Sequence, residues 1–311
     1  MVSESEIVFE FGPYLRAFKD GRVERYFNTD VVPPSDHGNG VSSKDVQISQ
    51  ETGVSARIFI PNTTIYANAA GQEKLPLLVY FHGGGFMIGS PFCAMYHNHI
   101  TSLVKEAKIV AVSVDYRLAP EHAVPAAYED SWAALQWVAS HVDGEGPEVW
   151  LNKHANFRRV FLAGDSAGGN IVHNMVVKTG EEELAVGMEF ELVGACLVHP
   201  HFEKKEGDDV DECWRFVCPT TSGLDDPRMN PSVDPRLGRL GCRKVLICAA
   251  EKDLFKERAL NYYEALRKSR WDGEVELVET EGEEHVFHLF NPNSEKAVAF
   301  LRILAFFINQ S

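Results

Sequence analysis

Ser166 is the residue whose surroundings most clearly suggest chemistry, because it stands at the centre of a G-x-S-x-G pattern at 164–168. The apolar run 160–163 leads into this pattern, and a helix-forming stretch follows it. A strand-to-helix turn of this kind forces its serine into a strained, exposed conformation. The start of the helix then favours the negative charge that forms when the hydroxyl attacks a carbonyl. The pattern predicts a nucleophile at Ser166; the alternative is an ordinary turn in which the serine caps a helix.

Three consecutive glycines offer backbone donors for that negative charge. They lie in the sequence HGGGF at 82–86, directly after the apolar run 75–81. Because no side chains stand in the way, their N–H groups can turn inward and hold an oxyanion, together with the N–H of the residue after the nucleophile. We expect Gly84 and Gly85 to be the main donors of this oxyanion hole and Gly83 the next, with Ala167 supplying the donor after the serine.

The general base must be a histidine that follows the nucleophile and the acid along the chain, which is the order found in α/β-hydrolase folds. His285 lies in a loop after a strand-like segment and before the last predicted helix, and we interpret it as the base. His288 lies one turn further on and is the competing candidate. We interpret His82, His173 and His199 as structural, since they precede the expected acid.

The acid should follow the strand-like run 244–250, where the sequence reads Glu251-Lys252-Asp253. We choose Asp253 over Glu251 because it lies further beyond the end of the strand. The resulting set is Ser166, Asp253 and His285, in which the acid orients the base and the base activates the nucleophile.

Short apolar runs alternate with helical patterns along the chain. Runs without polar alternation indicate strands that are covered on both faces, as in a parallel sheet. The runs lie at 54–60, 75–81, 109–114, 160–163, 193–198, 244–250 and 274–278, and the helical patterns lie at 128–141, 170–178, 256–269 and 294–308. This alternation predicts the α/β class, with a doubly wound, mostly parallel sheet in a single domain over 1–311. We interpret 27–46 as a loop, 61–74 as a polar turn, and about 1–40 and 201–240 as cap elements above the sheet.

Composition restricts the partners. The chain of 311 residues carries 45 acidic and 30 basic residues, a formal net charge of −15. This charge disfavours nucleic acid, and no run reaches the ~20 apolar residues of a membrane span, so we expect neither partner. The six cysteines form no C-x-x-C pair, and Glu4 and Glu6 stand where a signal peptide would be basic. We therefore expect reduced thiols, a cytoplasmic location and neither a metal nor another cofactor.

Several motifs resemble a known family. The sequences HGGGF at 82–86, DYRLAPE at 115–121 and GDSAGGN at 164–170 resemble the hormone-sensitive-lipase-like family. The sequences KDGRVER at 19–25 and WLNKHA at 150–155 resemble plant carboxylesterases in particular. The resemblance covers nearly the whole chain and implies an α/β-hydrolase fold with a helical cap that is built partly from the N-terminal segment.

The resemblance and the residues together imply hydrolysis of small to medium neutral carboxylic esters through an acyl-enzyme, with a small-molecule ester or a related specialised metabolite as partner. The same family contains 2-hydroxyisoflavanone dehydratases and alkaloid cyclases, so β-elimination on the same scaffold is an alternative. A gibberellin receptor in this family has lost the catalytic histidine. Because the present chain keeps its serine, aspartate and histidine, receptor-like binding is less favoured.

The substrate pocket is the least determined part of the sequence. Phe86, Phe92, Trp214 and Phe216 are candidate pocket or cap residues, with a place in the general core as the alternative. The segment 202–218 is shorter than the usual cap connection of the family. If this leaves a narrow pocket, short acyl chains should be preferred.

Overall fold

The structure is a computed structural model, and it describes residues 6–35, 40–66, 73–182, 184, 189–202 and 212–310. Its strands are β1 (Ile7–Phe11), β2 (Leu15–Phe18), β3 (Val23–Arg25), β4 (Val41–Gln47), β5 (Ser55–Pro61), β6 (Leu75–Phe81), β7 (Val110–Asp115), β8 (Ala155–Asp165), β9 (Leu192–Val198), β10 (Lys244–Ala250) and β11 (Glu274–Thr280). Its helices are α1 (Asn62–Tyr66), α2 (Ala94–Ala107), α3 (Ala126–Ala139), α4 (Val149–His154), α5 (Ala167–Thr179), α6 (Glu212–Val217), α7 (Lys256–Lys268), α8 (Phe287–Phe290) and α9 (Glu295–Asn309).

The central sheet has eight strands in the order β11-β10-β9-β8-β6-β7-β5-β4. Neighbouring strands from β11 to β7 run parallel, whereas β5 and β4 are antiparallel additions at one edge. This arrangement confirms the doubly wound, mostly parallel sheet predicted from the alternating runs. It also places the ends of β6, β8 and β10, after which the candidate site residues follow, at the same edge of the sheet.

Both faces of the sheet are covered, which explains the apolar runs without polar alternation. Along β6, Leu77 and Val79 contact one core cluster, while Leu78 and Tyr80 contact the other. The first cluster includes residues of α3, α5 and α7, and the second includes residues of α2 and α9. Successive side chains of a strand point to opposite faces, so a strand between two helical layers must be apolar throughout.

The prediction of a loop at 27–46 is wrong at its C-terminal end, because Val41–Gln47 forms the edge strand β4. Its sequence, VSSKDVQ, is largely polar. A polar sequence is tolerated here because β4 pairs only with β5, and in the second half of the strand every other residue is exposed to solvent. The polar turn predicted at 61–74 contains the short helix α1. Helix α2, which packs against α9, was not predicted from the sequence.

The N-terminal cap segment is not helical where the structure describes it. Residues 6–25 contain a separate three-stranded antiparallel sheet, β1-β2-β3. The second predicted cap segment contains α6 and three short 3₁₀ turns among its described residues. The predicted shortening of 202–218 falls mainly on residues 203–211, which lie outside the described part of the chain.

All six cysteines lie among the described residues, where none forms a disulfide and five are buried. Among the described residues, no helix is both long enough and apolar enough to cross a membrane.

The close crossing of β6 over α5 gives a direct test of the fold. A Cβ atom on Gly168 would collide with the carbonyl oxygen of Phe81, so Gly168→Ala must displace backbone. We expect this variant to lose more than about 2 kcal/mol of unfolding free energy, measured by denaturant titration. Gly238→Ala is the matched control, because the nearest atom to its added Cβ is 3.4 Å away. Equal unfolding midpoints for Gly168→Ala and the wild-type protein would contradict the crossing.

Candidate active site

Ser166 lies at the junction of β8 and α5 with φ 51° and ψ −116°, a strained conformation for a residue with a side chain. Its N–H donates to the carbonyl oxygen of Val198 at 2.9 Å, and its own carbonyl accepts from the N–H of His201 at 2.9 Å. The residue is 8% exposed and lines a cavity. The turn therefore has the geometry expected of a nucleophile elbow.

Asp253 and His285 meet beside this cavity. The Nδ1 atom of His285 is 2.8 Å from Oδ2 of Asp253, while the other carboxylate oxygen, Oδ1, accepts the N–H of Phe255 at 2.8 Å. Burial acts to raise the pKa of Asp253, but His285, the N–H of Phe255 and His199 together lower it by more, and the net pKa lies below the ordinary value. The carboxylate is therefore ionised at neutral pH and holds the proton of His285 on Nδ1.

His285 and Ser166 both line the same cavity, so the predicted base and the predicted nucleophile share one site. His288 is only 4% exposed, and burial holds its pKa well below the ordinary value. It is not among the residues that line this cavity. The structure thus separates the two histidines that the sequence left as competitors.

His199 has a supporting position under the loop of the base. Its Nδ1 accepts the N–H of Val286 at 2.8 Å, and Val286 itself has φ 46°. Burial, and to a smaller degree the nearby His285, lowers the pKa of His199 to about 3. A neutral imidazole with its proton on Nε2 is therefore required here, since only an unprotonated Nδ1 can accept. The structural role predicted for this histidine agrees with this contact.

Asp253, His199 and His285 offer potential metal-ligand atoms that lie within 4.8 Å of one another. These atoms are already engaged in hydrogen bonds. Nδ1 of His199 accepts the N–H of Val286, and the carboxylate of Asp253 accepts from Nδ1 of His285. The arrangement fits a proton-transfer pair better than a cation site.

The backbone N–H groups of the three loop glycines differ in whether they already have an acceptor. The N–H of Gly83 is already directed to the hydroxyl of Tyr96 at 2.8 Å and to Oδ1 of Asp165 at 3.1 Å. The N–H groups of Gly84 and Gly85 have no acceptor among the described residues. Ala167 is the first residue of α5, where an N–H has no partner within the helix. The available donors are thus Gly84, Gly85 and Ala167.

Asp165 is a functional neighbour that the sequence analysis missed. Its carboxylate is almost fully buried and accepts the hydroxyls of Tyr80 at 2.7 Å and Tyr96 at 2.9 Å, in addition to the N–H of Gly83. Burial raises its pKa, and the two tyrosine hydrogen bonds only partly oppose this shift. Because Asp165 directly precedes Ser166, its carboxylate ties the glycine loop to the elbow. Its place inside the G-x-S-x-G pattern was the available signal.

The cavity has a volume of about 880 Å³, within the range of small-molecule sites. It is lined by Ser166, His285 and the three glycines of the loop, and most of its remaining wall is apolar. The preference for short acyl chains was conditional on a narrow pocket beneath a shortened cap, and it stays a prediction because residues 203–211 lie outside the described part of the chain.

The four aromatics predicted as pocket or cap residues do not line the cavity, but Trp214 and Phe216 lie on α6, within the second predicted cap segment. Phe86 packs on Tyr128 and on the fully buried Trp214, Phe92 contacts the guanidinium of Arg57, and Phe216 stacks on Phe9. None of the four is among the residues that line the cavity around Ser166. The general-core alternative describes Phe86 and Trp214, and other aromatic residues form the wall.

Comparison with known proteins agrees with this geometry. The family described as α/β-hydrolase fold matches residues 78–289. "Probable carboxylesterase 5" of Arabidopsis thaliana is 46% identical, with 98% of this chain and 99% of the relative covered. "2-Hydroxyisoflavanone dehydratase" of Glycyrrhiza echinata is 40% identical, with 98% and 97% covered.

Solved structures show the same fold. An esterase from the archaeon Pyrobaculum calidifontis aligns with a TM-score of 0.66 at 25% identity, covering 88% of this chain and 86% of the other. A thermophilic carboxylesterase cloned from a metagenomic library aligns with a TM-score of 0.67 at 26% identity, covering 90% of each chain. The chain therefore belongs to the α/β-hydrolase fold family, in its hormone-sensitive-lipase-like branch with the plant carboxylesterases.

Proposed function

We propose that this protein is a carboxylesterase that hydrolyses small to medium neutral esters through an acyl-enzyme on Ser166. The observation that carries the proposal is the 2.8 Å contact between His285 and the buried Asp253, on the cavity that the strained Ser166 also lines. The esterase names of the relatives and of the structural neighbours support it.

The mechanism follows from the placement of protons. With Asp253 holding the proton on Nδ1 of His285, the Nε2 atom is free to take the proton of the Ser166 hydroxyl as it attacks the ester carbonyl. The same proton then passes to the departing alcohol. Water attacks the acyl-enzyme with His285 again as the base, and the free acid leaves.

The oxyanion of both tetrahedral intermediates is held by backbone N–H groups. Gly84, Gly85 and Ala167 supply them, and Gly83 serves instead to hold the loop against Asp165. Fixed donors are effective because no reorganisation is needed when the charge develops. One donor in such a site contributes about 10²- to 10³-fold in kcat.

The charge of the site favours neutral esters. Among the described residues that line the cavity there is no lysine or arginine, whereas Glu283 and Glu284 lie on its wall. A carboxylate-bearing substrate would therefore find no counter-charge. Six cysteines without a disulfide fit a reducing compartment, and we place the enzyme in the cytoplasm, acting on a specialised metabolite.

β-Elimination is the second candidate, favoured by the 40% identity to a protein named 2-hydroxyisoflavanone dehydratase. Removal of a proton next to a carbonyl needs a base and an oxyanion hole, but no nucleophile. His285, Gly84 and Gly85 would serve that reaction too. The two reactions therefore differ in their need for Ser166.

The catalytic set can be tested by matched substitutions. Ser166→Ala should lower kcat for p-nitrophenyl acetate by about 10⁴- to 10⁶-fold while the protein stays folded, because acyl transfer needs the nucleophile. His285→Leu should cause a loss of similar order. His288→Leu is the control, since it keeps the volume of a buried side chain outside the cavity, and its kcat should stay within about tenfold. Equal losses in the two histidine variants would remove the support for His285 as base.

The reaction type can be tested by Ser166→Thr, which keeps a hydroxyl but adds a methyl group at the crowded elbow. Ester hydrolysis should fall strongly, by about 10²-fold or more, whereas any elimination should change much less. Both rates are measured on purified wild-type and variant protein, with p-nitrophenyl acetate and with a 2-hydroxyisoflavanone. Faster dehydration than hydrolysis in the wild-type protein, unchanged by Ser166→Thr, would make the protein a lyase.

A further inference from the structure

One wall of the cavity is a continuous row of aromatic rings. The ring centroids are 5.7 Å apart between Phe11 and Tyr14, 5.0 Å between Tyr14 and Phe27, and 5.9 Å between Phe27 and Phe290. All four side chains line the cavity that contains Ser166. We call these four residues the aromatic wall.

The aromatic wall extends between the two halves of the catalytic machinery. At one end, the ring of Phe11 lies against Gly85, so that a Cβ there would be 3.2 Å from the ring. At the other end, Phe290 is the last residue of helix α8, and this helix begins two residues after His285. An ester whose carbonyl oxygen is held by Gly84 and Gly85 therefore has this wall alongside it.

The N-terminal part of the wall is fixed to the core before any substrate arrives. Arg25, at the end of β3, donates to the carbonyl oxygens of Met87 at 2.7 Å and Ala119 at 3.0 Å, and it pairs with Glu121 at 2.6 Å. The chain next to it is tied back by the N–H of Tyr26, which donates to the carbonyl of Tyr14 at 2.8 Å. A surface that is ordered in advance loses little conformational freedom on binding.

The cavity leaves much apolar surface for a substrate to cover. Phe290 is 56% exposed and Leu254 is 65% exposed, and both line the cavity. A short aliphatic ester would leave most of these side chains in water. Apolar surface at the mouth of a site indicates a ligand with a large apolar body.

We propose that the natural substrate carries an uncharged aromatic ring system next to its ester group, and that this ring packs on the aromatic wall. The inference rests on the proposed esterase function and names the substrate class of the same site. Ring-against-ring contacts add to plain area burial because the edge and the face of an aromatic ring carry opposite partial charge. A rigid ring also loses fewer rotatable bonds on binding than an alkyl chain of equal size.

The test uses ester pairs that differ only in aromaticity. Methyl 3-phenylpropanoate and methyl 3-cyclohexylpropanoate place the ring on the acyl side, and 3-phenylpropyl acetate and 3-cyclohexylpropyl acetate place it on the alcohol side. The ester groups within each pair have nearly equal intrinsic reactivity. We expect the phenyl member to have a kcat/KM about 2- to 10-fold higher in at least one pair, although the cyclohexyl ring is the more apolar. The pair that shows the preference identifies the side of the ester on which the ring lies.

Leucine substitutions connect the preference to the wall. Tyr14→Leu and Phe27→Leu should each bring the phenyl-to-cyclohexyl ratio of kcat/KM close to one. Phe306→Leu is the matched control, because Phe306 is 67% exposed on α9, and the ratio should not change. A ratio of one in both wild-type pairs, or a ratio that survives both wall substitutions, would overturn the proposal.

Binding to Ser166→Ala separates this proposal from the esterase proposal. Titration calorimetry with the same esters should show tighter binding of the phenyl member, and this preference should be lost when Tyr14→Leu is added. If that preference is present but the wild-type protein hydrolyses none of the esters, the aromatic site stands and the esterase function fails. Hydrolysis without any preference for phenyl, in turnover or in binding, leaves the esterase function standing and overturns the aromatic site.

Discussion

The strained backbone of Ser166 is the constraint on which the rest of the site depends. Its φ of 51° turns the chain from β8 into α5 within one residue. Directly beside this turn the backbone of Phe81 crosses over Gly168, and this crossing needs β6 and β8 to be neighbours. The same crossing brings the glycine loop that follows β6 next to the serine. The strained turn at Ser166 and the neighbouring positions of β6 and β8 therefore depend on each other.

Buried polar groups fix the positions of the loops that form the site. The carboxylate of Asp165 joins the elbow to Gly83 and to two tyrosine hydroxyls, and the neutral His199 holds the backbone just after His285. Unpaired polar groups are costly in a low-dielectric interior, so each contact strongly favours one position of its loop. Neither group needs to touch a substrate to fix the positions of the oxyanion donors and the base.

The sequence predicted the elements whose patterns are set by local rules. The β6 and β10 strands were predicted with the boundaries that the structure has, because strands buried on both faces are uninterrupted apolar runs. The positions of Ser166, Asp253 and His285 were predicted from their order along the chain, and the structure brings them to one cavity or its edge. Edge strand β4 was missed because its polar sequence resembles a loop.

The sequence did not predict the pocket, since a cavity wall depends on which distant segments meet. Phe11 ends β1 of the short N-terminal sheet, and Tyr14 and Phe27 lie in the turns beside it. The position of this sheet is set by Arg25 and Glu121, which are far apart in sequence. Phe86 and Trp214, by contrast, were chosen for their residue type and lie in the core. Periodicity predicts burial, and it does not distinguish a side chain that faces the core from one that faces a cavity.

The central claim is that Ser166 attacks an electrophile, and covalent labelling tests it most directly. The wild-type protein is treated with a fluorophosphonate and digested with trypsin, and the modified peptide is identified by mass spectrometry. Ser166 is the only serine in the tryptic peptide 160–178, so a label on that peptide has a single serine to occupy. We expect one label per chain on this peptide and none in Ser166→Ala. A label on another peptide, or labelling that persists in Ser166→Ala, would contradict the account.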